Sequence, residues 1–201
     1  MPEIVTALPL LALTALLGYL LGSVPFGIVM ARLFGLGDLR KIGSGNIGAT
    51  NVLRTGNKLA AFLTLILDAG KGGIAVLVAR ALLGDDAAQI AGFAAFLGHC
   101  FPVYLGFRGG KGVATWLGTL FALAWPVGLA AGATWLVTAG VFRISSLAAL
   151  VAALLTPLWA WLLGFPQMVV LLVALGALIF IRHHENIRRI LAGTESRIGK
   201  K

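Results

Sequence analysis

The stretch VATWLGTLFALAWPVGLAAGATWLVTAGVF, Val113 to Phe142, decides how often this chain crosses a bilayer. Read as one helix it would be about 45 Å long at 1.5 Å per residue, against a hydrocarbon core of about 30 Å. Trp125, Pro126 and Gly128 fall near its middle, where proline removes a backbone donor and crowds the preceding turn. The stretch therefore predicts two helices, near 113–124 and 127–142, the first short for a span. With the apolar runs near 4–34, 58–83, 87–105, 147–163 and 167–182, the chain reaches about seven transmembrane helices.

Charge parity supports the split. With seven spans and the N-terminus outside, segments 35–57, 106–112, 143–146 and 183–201 face the cytoplasm. Arg40, Lys41, Arg54, Lys58, Arg108, Lys111, Arg143, Arg188, Arg189, Lys200 and Lys201 then share one side, while Glu3, Asp85 and Asp86 take the other. Arg80 is the single basic residue near the outer face. Merging the two helices would send Arg188, Arg189 and both terminal lysines outside, against the positive-inside tendency.

Composition agrees. The chain has 201 residues, 59% hydrophobic and only 11% charged, with a mean hydropathy of +0.98. A soluble domain of this size needs far more charge on its surface, so lipid is the outer solvent. Sixteen Lys and Arg stand against seven Asp and Glu, which serves either retention of cytoplasmic loops or binding of anionic substrates. Cys100 is alone, which excludes an intrachain disulfide. The histidines are His99, His183 and His184, too few with the available carboxylates to suggest a zinc or two-metal site. The N-terminal apolar run outlasts a signal peptide and lacks a basic start, so it reads as a retained span. No repeat or linker divides the chain, and 1–201 reads as a single all-α, polytopic membrane domain whose backbone satisfies itself.

Several polar and small residues punctuate the spans. Gly18 and Gly22 have the G-x-x-x-G spacing of close helix packing. "GSVPFG", Gly22 to Gly27, predicts a bend at Pro25, with Ser23 satisfying a freed carbonyl. Asp68 and Lys71 lie three apart deep in an apolar run, so they share a helix face and read as an ion pair. His99, near the end of the third span, reads mainly as a packing and hydrogen-bonding residue.

Three polar stretches carry chemistry. In "KIGSGNIGATNVLR", Lys41 to Arg54, Gly43, Gly45 and Gly48 stand in G-x-G-x-x-G register. A hydrophobic helix precedes them rather than a strand, which excludes a dinucleotide fingerprint, and no Gly-Lys-Ser/Thr follows. Glycines still let amides point one way at an approaching anion, and a following helix would add its positive end. Ser44, Asn46, Thr50 and Asn51 add neutral hydrogen-bonding groups, and Arg54 can grip a phosphate bidentately. The bland alternative is a corner between helices. In "GFRGGKGVAT", Gly106 to Thr115, glycines surround Lys111, suited either to phosphate or to anionic headgroups. In "RHHENIRRILAGTE", Arg182 to Glu195, Ile187, Ile190 and Leu191 give an amphipathic helix with Gly193 as its stop. His183 and Asn186 share a face there, and Glu185 can pair with Arg189. A generic interfacial helix explains neither the His nor the Asn.

Together these stretches resemble the signature of the bacterial acyl-phosphate-dependent glycerol-3-phosphate acyltransferases, the PlsY family. The match runs in order through "GSVPFG", "GSGNIGATNVLR", "FPVYLGFRGGKGVAT" and "HHENIRRILAGTE", almost the whole chain. The resemblance implies a seven-helix enzyme of the bacterial inner membrane with its C-terminus and active site on the cytoplasmic side. It implies acyl transfer from a fatty acyl phosphate to the 1-hydroxyl of glycerol-3-phosphate, giving lysophosphatidate and phosphate, the first acylation of phospholipid synthesis. It also implies coupling to a soluble acyl-phosphate synthase, with no cofactor, no metal and no nucleic-acid partner.

By that resemblance Ser44 and Arg54 are the first motif's hydroxyl and cation, and Gly109, Gly110, Lys111 and Gly112 form the acyl-phosphate loop. His183 and Asn186 are the third motif's functional pair, Glu185 is structural, and His184 stands outside the pattern. The candidate catalytic residues are therefore His183, Asn186, Ser44 and Lys111. The candidate phosphate-binding set is Arg54, Gly43, Gly45, Asn46, Gly48, Thr50, Asn51, Gly109, Gly110 and Gly112. All three motifs are expected to meet at the inner membrane surface. An H-x-x-x-x-D dyad is absent, since Tyr104, Arg188 and Arg189 stand five after the histidines, so the base is either His183 or a donor phosphate oxygen. The rival reading is a transporter of a phosphorylated metabolite. It would place its site near the midplane between inverted repeats, and no repeat is visible.

Overall fold

The computed structural model describes residues 1–199, and Lys200 and Lys201 lie outside the described residues. Every regular element among them is helical, so the chain is an all-α polytopic membrane protein. It forms two compact units, one built from Glu3–Leu123 and the other from Ala124 onward with Met1–Pro2.

In the first unit, α1 (Leu8–Gly22) and α2 (Phe26–Leu33) together make one span of 26 residues. The interruption falls where Pro25 was expected to bend the chain, and Ser23 Oγ donates at 2.8 Å to the Tyr19 carbonyl, which already takes the Ser23 amide at 2.9 Å, so its partner is not the freed carbonyl that was expected. A five-residue helix, α3 (Ala49–Leu53), leads into the long α4 (Lys58–Leu83), which Asn57 caps by accepting from the Ala60 amide. Then α5 (Asp85–Cys100) returns, and α6 (Val113–Leu123) closes the unit.

Small residues set the crossings. A Cβ on Gly18 would lie 2.9 Å from the Ala91 carbonyl oxygen, and one on Gly22 would overlap the Ala95 carbonyl, so α1 and α5 touch backbone to backbone. Gly118 of α6 meets the Ala69 carbonyl of α4 in the same way. The expected ion pair is present inside this packing, with Lys71 Nζ 2.9 Å from Asp68 Oδ1.

The second unit holds α7 (Trp125–Phe142), α8 (Ser145–Leu162), α9 (Val169–Arg182) and α10 (His184–Leu191). The break within 113–142 is real. Ala124 is extended (φ −154°, ψ 100°) and Pro126 sits in the first turn of α7, where its missing N–H has no intrahelical partner to lose. Across α7 and α8, Trp159 Nε1 donates to Thr134 Oγ1 at 3.0 Å. Large apolar side chains such as Leu136, Val141 and Leu154 are exposed, as lipid-facing positions should be.

Five helical segments among the described residues are long and apolar enough to cross a bilayer, or six if Pro166–Arg182 and His184–Leu191, bent by 63°, are taken as one span. The remaining expected segment, α6, is about 17 Å long at 1.5 Å per residue, short of the roughly 30 Å hydrocarbon core.

Candidate active site

In the first unit the spans run antiparallel, so residues 34–57 and 101–112 connect helices at the same end. A direct bond ties them: Arg40 Nη2 donates to the Arg108 carbonyl at 3.0 Å.

The first glycine loop is organised by Asn51, which is buried although Thr50, Leu53 and Arg54 beside it are exposed. Its Nδ2 donates to the carbonyls of Leu39 (2.9 Å) and Asn46 (2.7 Å), which closes the loop on itself. Its Oδ1 accepts from the Ser44 amide at 3.1 Å, from Ser44 Oγ at 3.4 Å and from Arg54 Nη1 at 3.5 Å. The expected anion contact is therefore a local fastener that gathers the Ser44 hydroxyl and the Arg54 guanidinium around one oxygen. Gly43 is needed here. Its φ is +53°, and a Cβ would stand 2.7 Å from Arg54 Cδ and 2.6 Å from Asn51 Oδ1. Asn46 is half-buried and Thr50 exposed, and Gly48 caps α3 in extended backbone. With only five residues, α3 contributes little macrodipole, so the expected positive helix end is weak.

In the second loop the glycines serve close packing. The amides of Gly109 and Gly110 donate to the Cys100 and His99 carbonyls at 3.2 and 3.1 Å, extending the end of α5 rather than pointing at an anion. A Cβ on Gly110 would overlap His99 Nε2, and one on Gly112 would overlap the Phe96 ring. The resemblance made Gly109, Gly110, Lys111 and Gly112 the acyl-phosphate loop. The structure presses this backbone against α5, with Arg108 exposed and Lys111 half-buried.

In the second unit His183 is the corner between α9 and α10, 3% exposed, whereas His184 is exposed. His183 Nδ1 lies 2.8 Å from the Ile179 carbonyl. A carbonyl only accepts, so Nδ1 carries the proton. Asn186, one turn on, is also 3% exposed. Its Nδ2 donates to Glu195 Oε1 at 2.6 Å, and Arg189 Nε donates to Glu195 Oε2 at 2.6 Å. Ser146, at the start of α8, donates to Glu195 Oε1 at 2.7 Å.

Glu195, not Glu185, is thus the chief partner of Arg189, since Glu185 stands 3.9 Å away. Burial alone would raise the Glu195 pKa, but hydrogen bonds from Arg189, Ser146 and Asn186 outweigh it and hold the carboxyl below its usual range. Sequence reasoning missed both Ser146 and Glu195. The one signal was Gly193 (φ +69°), whose turn sends the Thr194 amide to Arg189 O and its own amide to Ile190 O, a Schellman closure. That reversal carries Glu195 back onto the helix. Among the described residues no three His, Cys, Asp or Glu are grouped to hold a metal ion.

The glycerol-3-phosphate acyltransferase family model matches residues 12–193. The chain belongs to that family. A glycerol-3-phosphate acyltransferase of Jannaschia sp. is 75% identical over 99% of this chain and 98% of its own length. One of Dinoroseobacter shibae is 69% identical over 100% of this chain and 99% of its own. Among solved structures, the glycerol 3-phosphate form of PlsY, an integral membrane glycerol 3-phosphate acyltransferase, superimposes with a TM-score of 0.89 at 43% identity, covering 94% of this chain and 96% of that one. The lysophosphatidic acid form matches with a TM-score of 0.87 at 42% identity, covering 94% and 95%. The family is therefore one of integral-membrane acyltransferases, and the chain is an enzyme of that kind.

Proposed function

We propose that the enzyme moves a fatty acyl group from acyl phosphate to the 1-hydroxyl of glycerol-3-phosphate, giving lysophosphatidate and phosphate, with the whole chain acting as one catalytic domain. The observation that carries the reading is the grouping of Ser44 and Arg54 on Asn51 Oδ1, at the end of the unit that also bears Lys111. The two forms in which PlsY has been solved, with glycerol 3-phosphate and with lysophosphatidic acid, correspond to the acceptor before and after acylation. An anionic acceptor and an anionic donor repel one another, and Arg54 and Lys111 supply the compensating charge. Holding the two reactants in line accounts for about 7–11 kcal/mol of a barrier.

An acyl phosphate is a mixed anhydride, already activated, and so asks for no covalent enzyme intermediate. The acceptor oxygen bonds to the acyl carbon, the bond from that carbon to the phosphate oxygen breaks, and the hydroxyl proton passes to the departing phosphate. His183 Nε2 orients the hydroxyl as acceptor, Asn186 is held to the same task by Glu195, and the Ser44 hydroxyl donates to a phosphate or carbonyl oxygen. The positive-inside tendency of the basic loops at the motif ends supports a site at the cytoplasmic face of the bacterial inner membrane, where a soluble acyl-phosphate synthase would supply the donor.

The test is purified protein with palmitoyl phosphate and labelled glycerol-3-phosphate. Labelled lysophosphatidate with release of one phosphate per turnover is expected, and product formed only from palmitoyl-CoA would overturn the donor assignment. Movement of labelled glycerol-3-phosphate across proteoliposomes without lipid product would favour the transporter instead.

A further inference from the structure

Three polar side chains lie inside the apolar packing of the first unit, and the reaction above uses none of them. Asp68 and Lys71 of α4 are each 2% exposed and His99 of α5 is 5% exposed. Lys71 Nζ is 2.9 Å from Asp68 Oδ1, and the same oxygen is 3.5 Å from His99 Nδ1. Lys71 also donates to the Val24 carbonyl at 2.8 Å, in the break between α1 and α2, with the Phe26 ring centroid 5.8 Å from its nitrogen. At the other end, the His99 carbonyl takes the Gly110 amide and the imidazole lies against Gly110 so closely that no Cβ would fit. The next residue is Lys111.

Stability alone does not account for this line of groups. Ionisable residues in a membrane interior are costly, and a buried pair rarely outperforms apolar packing of the same volume. The helices concerned already lock through Gly18, Gly22, Gly72 and Gly92. The break is also in contact with the first loop, because a Cβ on Gly27 would overlap the Ile47 carbonyl.

We infer that Lys71, Asp68 and His99 form a positioning line that runs from the broken first span to the Gly109–Gly112 loop and sets where Lys111 presents its charge. None of the three touches substrate. His99 bears on the loop, Asp68 holds His99, and Lys71 ties Asp68 to the break. The inference rests on the reading that Lys111 holds a phosphate, and it predicts a defect in binding rather than in chemistry.

The experiment compares wild type with Asp68→Asn, Asp68→Leu/Lys71→Leu and, as a control at the start of α5, Asp85→Asn. For each, kcat and the KM for both phosphate substrates are measured in detergent, with amide exchange of the peptide spanning 106–112. Asp68→Asn is expected to raise one of the two KM values at least fivefold, with the other within twofold and kcat within threefold. Exchange at Gly109 and Gly110 should speed up about tenfold, with α1 unchanged and Asp85→Asn like wild type. The double variant removes both charges, so it folds even where a lone buried charge does not. Under the proposal it keeps the KM defect, because His99 still lacks its carboxylate. Wild-type KM values and wild-type exchange in the double variant would reduce the line to a structural ion pair and overturn the inference. Absence of acyl transfer in wild type would instead remove the functional reading, while loop exchange would still decide whether the line holds the loop.

Discussion

Asn186 and Ser146 donate to the same atom, Glu195 Oε1, at 2.6 and 2.7 Å. One carboxylate thereby joins the start of α8 to the amphipathic α10 and fixes the amide of a candidate active-site residue. Replacing Glu195 with Ala takes this acceptor from the buried Asn186 amide and Ser146 hydroxyl, while the partly exposed Arg189 keeps Glu185, and each orphaned buried donor costs about 1–3 kcal/mol. Glu195→Ala is expected to lower the thermal midpoint in detergent and to cut kcat at least tenfold, whereas Ser146→Ala loses less. A Glu195→Ala protein with wild-type turnover would remove Glu195 from the site.

The same carboxyl makes stability depend on pH. Its folded pKa lies below the usual 4.5, so its contribution is present in full above the unfolded value and is lost as pH falls through the folded one. The thermal midpoint of wild type should therefore hold steady down to about pH 5 and fall below it. Glu195→Gln should start lower and show a smaller fall in the same acid range, measured by the midpoint against pH.

Arg54 offers a fork where lysine offers a point. Arg54→Lys keeps the charge but loses planar, two-pronged phosphate geometry. It is expected to reduce kcat/KM by about 10–100-fold, about 1.4–2.7 kcal/mol, with an unchanged melting profile. Steady-state kinetics checks it, and a near-wild-type Arg54→Lys enzyme would argue for charge alone.

Gly43→Ala places a methyl group against Asn51 Oδ1 and Arg54 Cδ at a φ of +53°. The left-handed backbone adds roughly 1–2 kcal/mol of strain for an L-residue, and Arg54 must move. Activity should fall at least tenfold, with the helical circular-dichroism spectrum retained.

The two adjacent histidines separate cleanly. His183 is buried with Nδ1 on the Ile179 carbonyl, while His184 is exposed with Nδ1 on Ile181. His183→Ala is expected to lose activity by about 10²-fold or more, in the range of general acid–base and orienting groups, and His184→Ala to stay within threefold. Equal losses in purified enzyme would end the assignment of His183.

Much of the scaffold was legible in the residues alone, because hydropathy and helix breaking act locally. Leu123 ends one helix and Trp125 starts the next, as Pro126 required, and Asp68 meets Lys71 as their spacing required. Gly18 and Gly22 packed as their period predicted, and Gly193 stopped α10. In the site the residue types were legible but their tasks were not. Asn51 looks outward in a motif, yet it turns in to gather Ser44 and Arg54. Gly109 and Gly110 read as part of a phosphate loop, and spacing alone did not show that the end of α5 takes their amides.

By itself, the sequence determined that this is a helical membrane protein with a family motif in order, since lipid partitioning, proline and glycine act on neighbours along the chain. Only the tertiary structure decided that Arg189, besides its expected pairing with Glu185, binds Glu195 more closely together with Asn186, and that His99 bears on Gly110 while facing Asp68. A carboxylate can choose its partner only once the Gly193 turn has brought it within hydrogen-bonding range, and spacing along one helix cannot measure that distance.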